Sequence, residues 1–132
     1  MRTLWLHNPI FAAAGQAACA ELAEAYPSRR FRDKDDVVQA GGAADKLYVL
    51  HAGTVRVFHR MADGRETIVK LLRAPMVFGD IELFHDIPFL ENVDAVEAIE
   101  LSVIPAPAYI EFLQKHPVAM LEHLKHITAA FC

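Results

Sequence analysis

The sequence predicts an α+β domain, mainly β, built round a β-sandwich or roll. Three observations predict it. The chain opens on an Ala- and Glu-rich helical segment, continues through short β-type runs separated by glycine turns, and returns to helix at its end. Its 132 residues allow one domain, and at 54% hydrophobic and 23% charged it has ample apolar surface for a core. That balance excludes the disordered class, where low hydrophobicity accompanies high net charge.

Asn8-Pro9 reads as an N-cap followed by proline at the first helical position. Helix is expected from Ala12 to Tyr26, with Ala18 and Leu22 on one stripe, and Pro27 stops it. Val37-Val38, Leu47 to Leu50, Thr54 to His59 and Thr67 to Leu72 are rich in β-branched and aromatic residues and read as strands. Gly41-Gly42, Ala52-Gly53 and Asp63-Gly64 sit between them, and Asp63-Gly64 signals a hairpin because such a turn needs positive φ. Pro75 to Leu90 reads as irregular, and Asn92 to Glu97 and Ile99 to Ile104 as a second β region. Pro105-Ala106-Pro107 opens one C-terminal helix and Pro117 another. In the last, Leu121, Leu124, Thr128 and Phe131 form one apolar stripe at three- and four-residue spacing.

The formal net charge of −4 argues against this segment itself gripping nucleic acid, whose binding rests on neutralising phosphates. Cys19 and Cys132 lie far apart without metal-ligand spacing, which reads as two reduced thiols in a cytoplasmic protein. Two thiols cannot supply the four ligands of an iron–sulfur cluster. No apolar run approaches the ~18 residues of a membrane span, and the N-terminus lacks the pattern of a secretory signal.

The stretch from Gly41 to Val57, GGAADKLYVLHAGTVRV, resembles the signature of cyclic-nucleotide-binding domains. It has a glycine, an acid, an aromatic-containing strand, a glycine turn and a second strand at matching spacing. Asp63-Gly64-Arg65-Glu66 is similar to the next hairpin of those domains, and Phe78-Gly79-Asp80 to the opening of their phosphate-binding cassette. Leu6-His7-Asn8-Pro9-Ile10-Phe11 is similar to the start of the Crp/Fnr regulators, the catabolite-activator and fumarate–nitrate-regulator family. The resemblance runs from about Trp5 to Phe131. It implies a double-stranded β-helix, a jelly-roll-like β-roll of roughly eight strands, with an N-terminal helical segment and C-terminal helices. The whole chain, residues 1–132, is then one sensor domain. The dimerisation helix would start at about 117–132, and the DNA-binding winged helix-turn-helix domain is absent from it. The stripe after Leu121 offers only about two turns, short for a coiled coil on its own.

The resemblance also assigns candidate ligand-binding positions: Phe78, Gly79, Asp80, Ile81, Glu82, Leu83, Pro88, Phe89 and Leu90. In the family, the phosphate rests at the N-terminus of a short cassette helix, a glutamate takes the ribose hydroxyl, and an arginine after a proline pairs with the phosphate. Here Gly79 and Pro88 match, Asp80 replaces the glutamate, and Phe89 stands at the arginine position, followed by Leu90, Glu91 and Asn92. Between Arg73 and Lys115 there is no Lys or Arg, but there are eight carboxylates. Removing one partner of a buried charge pair costs ~3–5 kcal/mol, a loss of roughly a hundred- to several-thousand-fold in affinity. A cyclic nucleotide is therefore disfavoured, and Phe89 and Leu90 suggest an apolar pocket for an uncharged ligand or for the protein's own side chains. Arg56 or Arg73 is the available rescue for a phosphate.

The expected role is regulatory and not enzymatic: a small-molecule effector in the roll biases the C-terminal helix, a full-length homodimer results, and DNA is reached only through another domain. A stand-alone cyclic-nucleotide module is the alternative. A cupin-type metal enzyme would need an HxH pair, which is missing, since His51 and His59 are too far apart. No metal site is expected. His123 and His126 lie off the apolar stripe, which predicts a solvated helix face. Phe78, Leu83, Phe84 and Phe89 read as core. Because relatives in this family include haem-based gas sensors, the resemblance leaves haem at His7 or His85 as a further option.

Overall fold

The computed structural model describes residues 2–132, with side chains from Leu4 onward. Two four-stranded antiparallel sheets form the body, with strand orders β1-β8-β3-β6 and β2-β7-β4-β5. The strands are β1 (Arg29–Phe31), β2 (Asp36–Val38), β3 (Lys46–Ala52), β4 (Thr54–Arg60), β5 (Glu66–Arg73), β6 (Met76–Phe78), β7 (Asn92–Ala95) and β8 (Ile99–Pro105). Helices α1 (Arg2–Leu6), α2 (Pro9–Ala12) and α3 (Gln16–Ala25) precede them, α4 (Asp80–His85) lies between β6 and β7, and α5 (Ala106–Lys115) and α6 (Pro117–Thr128) follow. Among the described residues no helix is long and apolar enough to cross a membrane.

Asn8 caps α2 as expected, its side chain accepting from the Ile10 N–H at 3.0 Å. The single helix expected from Ala12 to Tyr26 is instead two: Gly15 adopts a φ of 95° and separates α2 from α3. The stretch from Pro75 to Leu90 is not irregular, because it contains β6 and α4. A three-residue strand is too short to show alternation, and β1 and β6 stay hidden in the sequence for that reason.

Strand β3 is buried on both faces. Leu47 and Val49 pack with Trp5, Phe11, Ile104 and Tyr109 under the helices, whereas Leu50 joins Val55, Val57, Phe78, Phe89 and Leu101 inside the roll. His51, also buried on β3, stacks edge-on against Trp5 and shares a 2.8 Å hydrogen bond with Ser102 Oγ.

The turn from β3 to β4 depends on Gly53. Its φ is +88°, and a Cβ there would lie 2.6 Å from the Ala98 carbonyl oxygen and 2.7 Å from Ile99 Cγ2. Gly53→Ala combines a left-handed backbone penalty with overlap against fixed backbone. It is expected to lower the unfolding free energy by at least about 2 kcal/mol, read as a fall in the urea midpoint.

Candidate functional site

A cavity of about 450 Å³ lies between the β2-β7-β4-β5 sheet, α4 and the end of α6. Val57, Leu72, Met76, Phe78 and Val93 make its apolar walls. Gly79, Asp80, Ile81 and Glu82 at the start of α4, with Phe89, Leu90 and Glu91 after it, form one side. His126, Ile127, Ala130 and Phe131 close the other. Thus seven of the nine candidate positions meet at one cavity; Leu83 instead joins the core under the helices, and Pro88 is exposed in the loop.

Gly79 opens α4 in the left-handed conformation, with φ +81°. A Cβ at Gly79 would meet Tyr48 Cδ1 at 3.1 Å and Phe89 Cε1 at 3.2 Å, so the Phe89 ring stands directly against the first turn of α4. Two backbone bonds hold Phe89 there: Gly41 N–H donates to its carbonyl at 2.8 Å, and its own N–H donates to the Gly42 carbonyl at 2.9 Å. The ring is 7% exposed and packs edge-on against Tyr48. Phe89 therefore fills the space beside the cassette helix as well as lacking a cation.

The charge at the wall is unfavourable to an anion. Asp80, Glu82 and Glu91 line the cavity, against one lysine, Lys70 on β5. Neither expected rescue reaches it. Arg56 grips Asp94 through two bonds, at 2.7 and 3.0 Å, and Glu66 at 3.0 Å, and neither Arg56 nor Arg73 lines the cavity. Lys70 escaped the sequence reading because it precedes the cation-free stretch. His126 is held below its ordinary pKa, chiefly by burial, with Lys70 among the smaller contributors.

The expectation of a solvated face for His123 and His126 is overturned for His123, which is 2% exposed. Its Nε2 bonds Asp80 Oδ2 at 2.8 Å, and its Nδ1 bonds the hydroxyl of Tyr109 on α5. The residues at 119, 123, 126 and 127 share helical spacing and turn inward, while the apolar stripe of α6 faces solvent, with Leu121 50% and Leu124 54% exposed. That second stripe was visible as a periodicity, but histidine and alanine do not mark a buried face. Phe78, Leu83 and Phe89 are buried as expected of core residues, whereas Phe84 is exposed at its edge. His7 and His85 are exposed and neither lines the cavity.

The fold and the glycine-opened helix beside the cavity define a cyclic-nucleotide-binding type of domain. Residues 28–116 match the family model described as "Cyclic nucleotide-binding domain", and the chain belongs to that family. It is 22% identical over 108 residues to a CRP-like cAMP-activated global transcriptional regulator of Mycobacterium tuberculosis, covering 82% of this chain and 48% of that regulator. The chain thus spans about half the length of the curated relatives it matches. Among solved structures it is similar to the sensor domain of the transcriptional regulator DNR from Pseudomonas aeruginosa, with a TM-score of 0.81 at 20% identity, covering 98% of this chain and 87% of that one. It is also similar to the Thermus thermophilus catabolite activator protein, with a TM-score of 0.78 at 20% identity, covering 93% of this chain and 58% of that one.

Proposed function

We propose that this chain is the effector-sensing domain of a Crp/Fnr-type transcription regulator whose effector is not cyclic AMP. The Phe89 ring packed against Gly79 carries the reading. An anion approaching the start of α4 meets an apolar ring where a cation would be needed, with Glu91 and Glu82 nearby. Like charges at short range add to the unmet desolvation of a phosphate. The cavity, formed by Phe78, Gly79, Asp80, Ile81, Glu82, Phe89 and Leu90 with α6 as its far side, takes a small apolar effector. The role is regulatory and not enzymatic.

The exposed stripe of α6 supports residues 117–132 as the start of a dimerisation helix. Leu121, Leu124 and Phe131 present apolar surface that the domain itself leaves uncovered. DNA is contacted through a domain outside these 132 residues, in keeping with the net charge of −4 here. Calorimetric titration with cyclic AMP and cyclic GMP tests the effector reading. No saturable binding in the micromolar range is expected, and micromolar or tighter binding of either nucleotide would overturn it.

A further inference from the structure

The buried chain Asp80–His123–Tyr109 joins three elements that are far apart in sequence. Asp80 begins α4 at the cavity and is 6% exposed, Tyr109 on α5 is fully buried, and His123 lies between them on α6. Burial, reinforced by the negative charge of Asp80, holds the Tyr109 hydroxyl far above the usual phenol range, so it remains a donor. With Tyr109 donating to Nδ1, the imidazole is left with its proton on Nε2, which donates to Asp80. Both ring nitrogens of His123 are then paired with another element, one on α4 and one on α5.

The packing of α6 gives this chain its importance. The large apolar residues Leu121 and Leu124 face solvent, and among residues of α6 itself only Ala119 and His123 are buried. The helix rests on α2 and α5, and His123 ties it to the cassette helix. One turn beyond His123, His126 and Ile127 reach the cavity. The Asp80–His123 bond therefore joins the cavity wall to α6.

We propose that the Asp80–His123 bond, with Tyr109 orienting the imidazole, is the latch that sets the position of α6 according to the state of the cavity. The coupling to an effector rests on the reading of the cavity given above. A hydrogen bond is short and directional, so a displacement of Asp80 by about 1 Å breaks it. A broken link leaves a buried carboxylate and a buried imidazole unpaired, which favours a second arrangement of α6 over a strained intermediate. An effector that draws Asp80 or α4 toward itself shifts the population to the released state.

The test needs no effector. Nitroxides attached at Arg30→Cys on β1 and Lys125→Cys on α6, in a Cys132→Ser background that leaves only the buried Cys19, report the distance from roll to helix. One narrow distribution is expected in the parent. Asp80→Leu and His123→Phe should broaden or shift it by several ångström, while amide exchange in β3 and β8 stays unchanged. Asp80→Asn, which keeps an acceptor oxygen, and Tyr109→Phe, which leaves the Asp80–His123 bond, should both retain the parent distance. An unchanged distribution in Asp80→Leu and His123→Phe overturns the latch, as does an equal shift in all four variants, which would mark simple packing.

If the leucine and phenylalanine variants do not fold, the unaltered protein decides by NMR. The His123 Nε2 proton should show the same protection factor, its slowing relative to a free imidazole, as the α6 amides show relative to free amides, and a different factor overturns the proposal. Failure here leaves the effector reading standing, whereas cyclic AMP binding by the unaltered protein would remove that reading and leave the latch.

Discussion

Phe89→Arg is expected to tighten the dissociation constant for cyclic AMP by at least about a hundredfold. The substitution does two things at once. It removes the ring that stands 3.2 Å from where a Gly79 side chain would be, and it supplies a guanidinium whose fork matches a phosphate. Stability should move the other way. Phe89 is buried against Tyr48, so losing it costs about 2–4 kcal/mol, partly offset by the alkyl stem of arginine lying on the same apolar wall. A variant with a lower melting temperature and a measurable heat of nucleotide binding is the expected pair of results, read by thermal denaturation and calorimetry on one preparation. A folded variant that still ignores the nucleotide would place the obstruction at Asp80, whose carboxylate is already bonded to His123.

Acid should destabilise the domain before its carboxylates titrate. Burial, more than any neighbouring charge, pushes the His51 imidazole down to about 4 in the folded protein, and Glu100 opposes the shift only in part. In the unfolded chain the same group takes up a proton near its ordinary value of about 6.5. The unfolded state therefore binds the proton first, so stability is complete above about pH 6.5 and falls as pH drops toward 4. The contribution lost across that window is about 3 kcal/mol. Urea unfolding at neutral pH and near pH 4 measures it. His51→Gln keeps a polar partner for Ser102 and removes the titration, so its stability should change much less over the same range. Equal pH dependence in the two proteins would show that the imidazole is protonated in place without penalty.

Much of the fold was legible because its cues are local. The Asp63-Gly64 hairpin was readable from a positive φ that glycine supplies, and Gly64 adopts +90° between β4 and β5. Asn8 and Pro9 marked α2, and the β-branched and aromatic runs Leu47 to Leu50 and Thr54 to His59 marked β3 and β4. Phe78-Gly79-Asp80 resembled the opening of a phosphate-binding cassette, and Gly79 does open a short helix there. Gly15, which divides α2 from α3, is a residue whose effect the composition of its neighbours concealed.

The C-terminal helix shows what local reading misses. Its apolar stripe suggests a buried face by default, yet Leu121 and Leu124 lie outside and His123 lies at the bottom of the contact. Periodicity tells which residues share a face; it does not tell which face meets the rest of the domain. That is fixed by the docking of α6 on α2 and α5 and by a carboxylate 43 residues away. The sequence by itself determined the helix–strand–helix order, the Asp63-Gly64 hairpin and the phenylalanine at position 89, because each follows from neighbours along the chain. Tertiary structure alone decided that Lys70 and His126 reach the cavity and that Asp80 binds His123, because burial and hydrogen bonding at these positions depend on partners brought together only by folding.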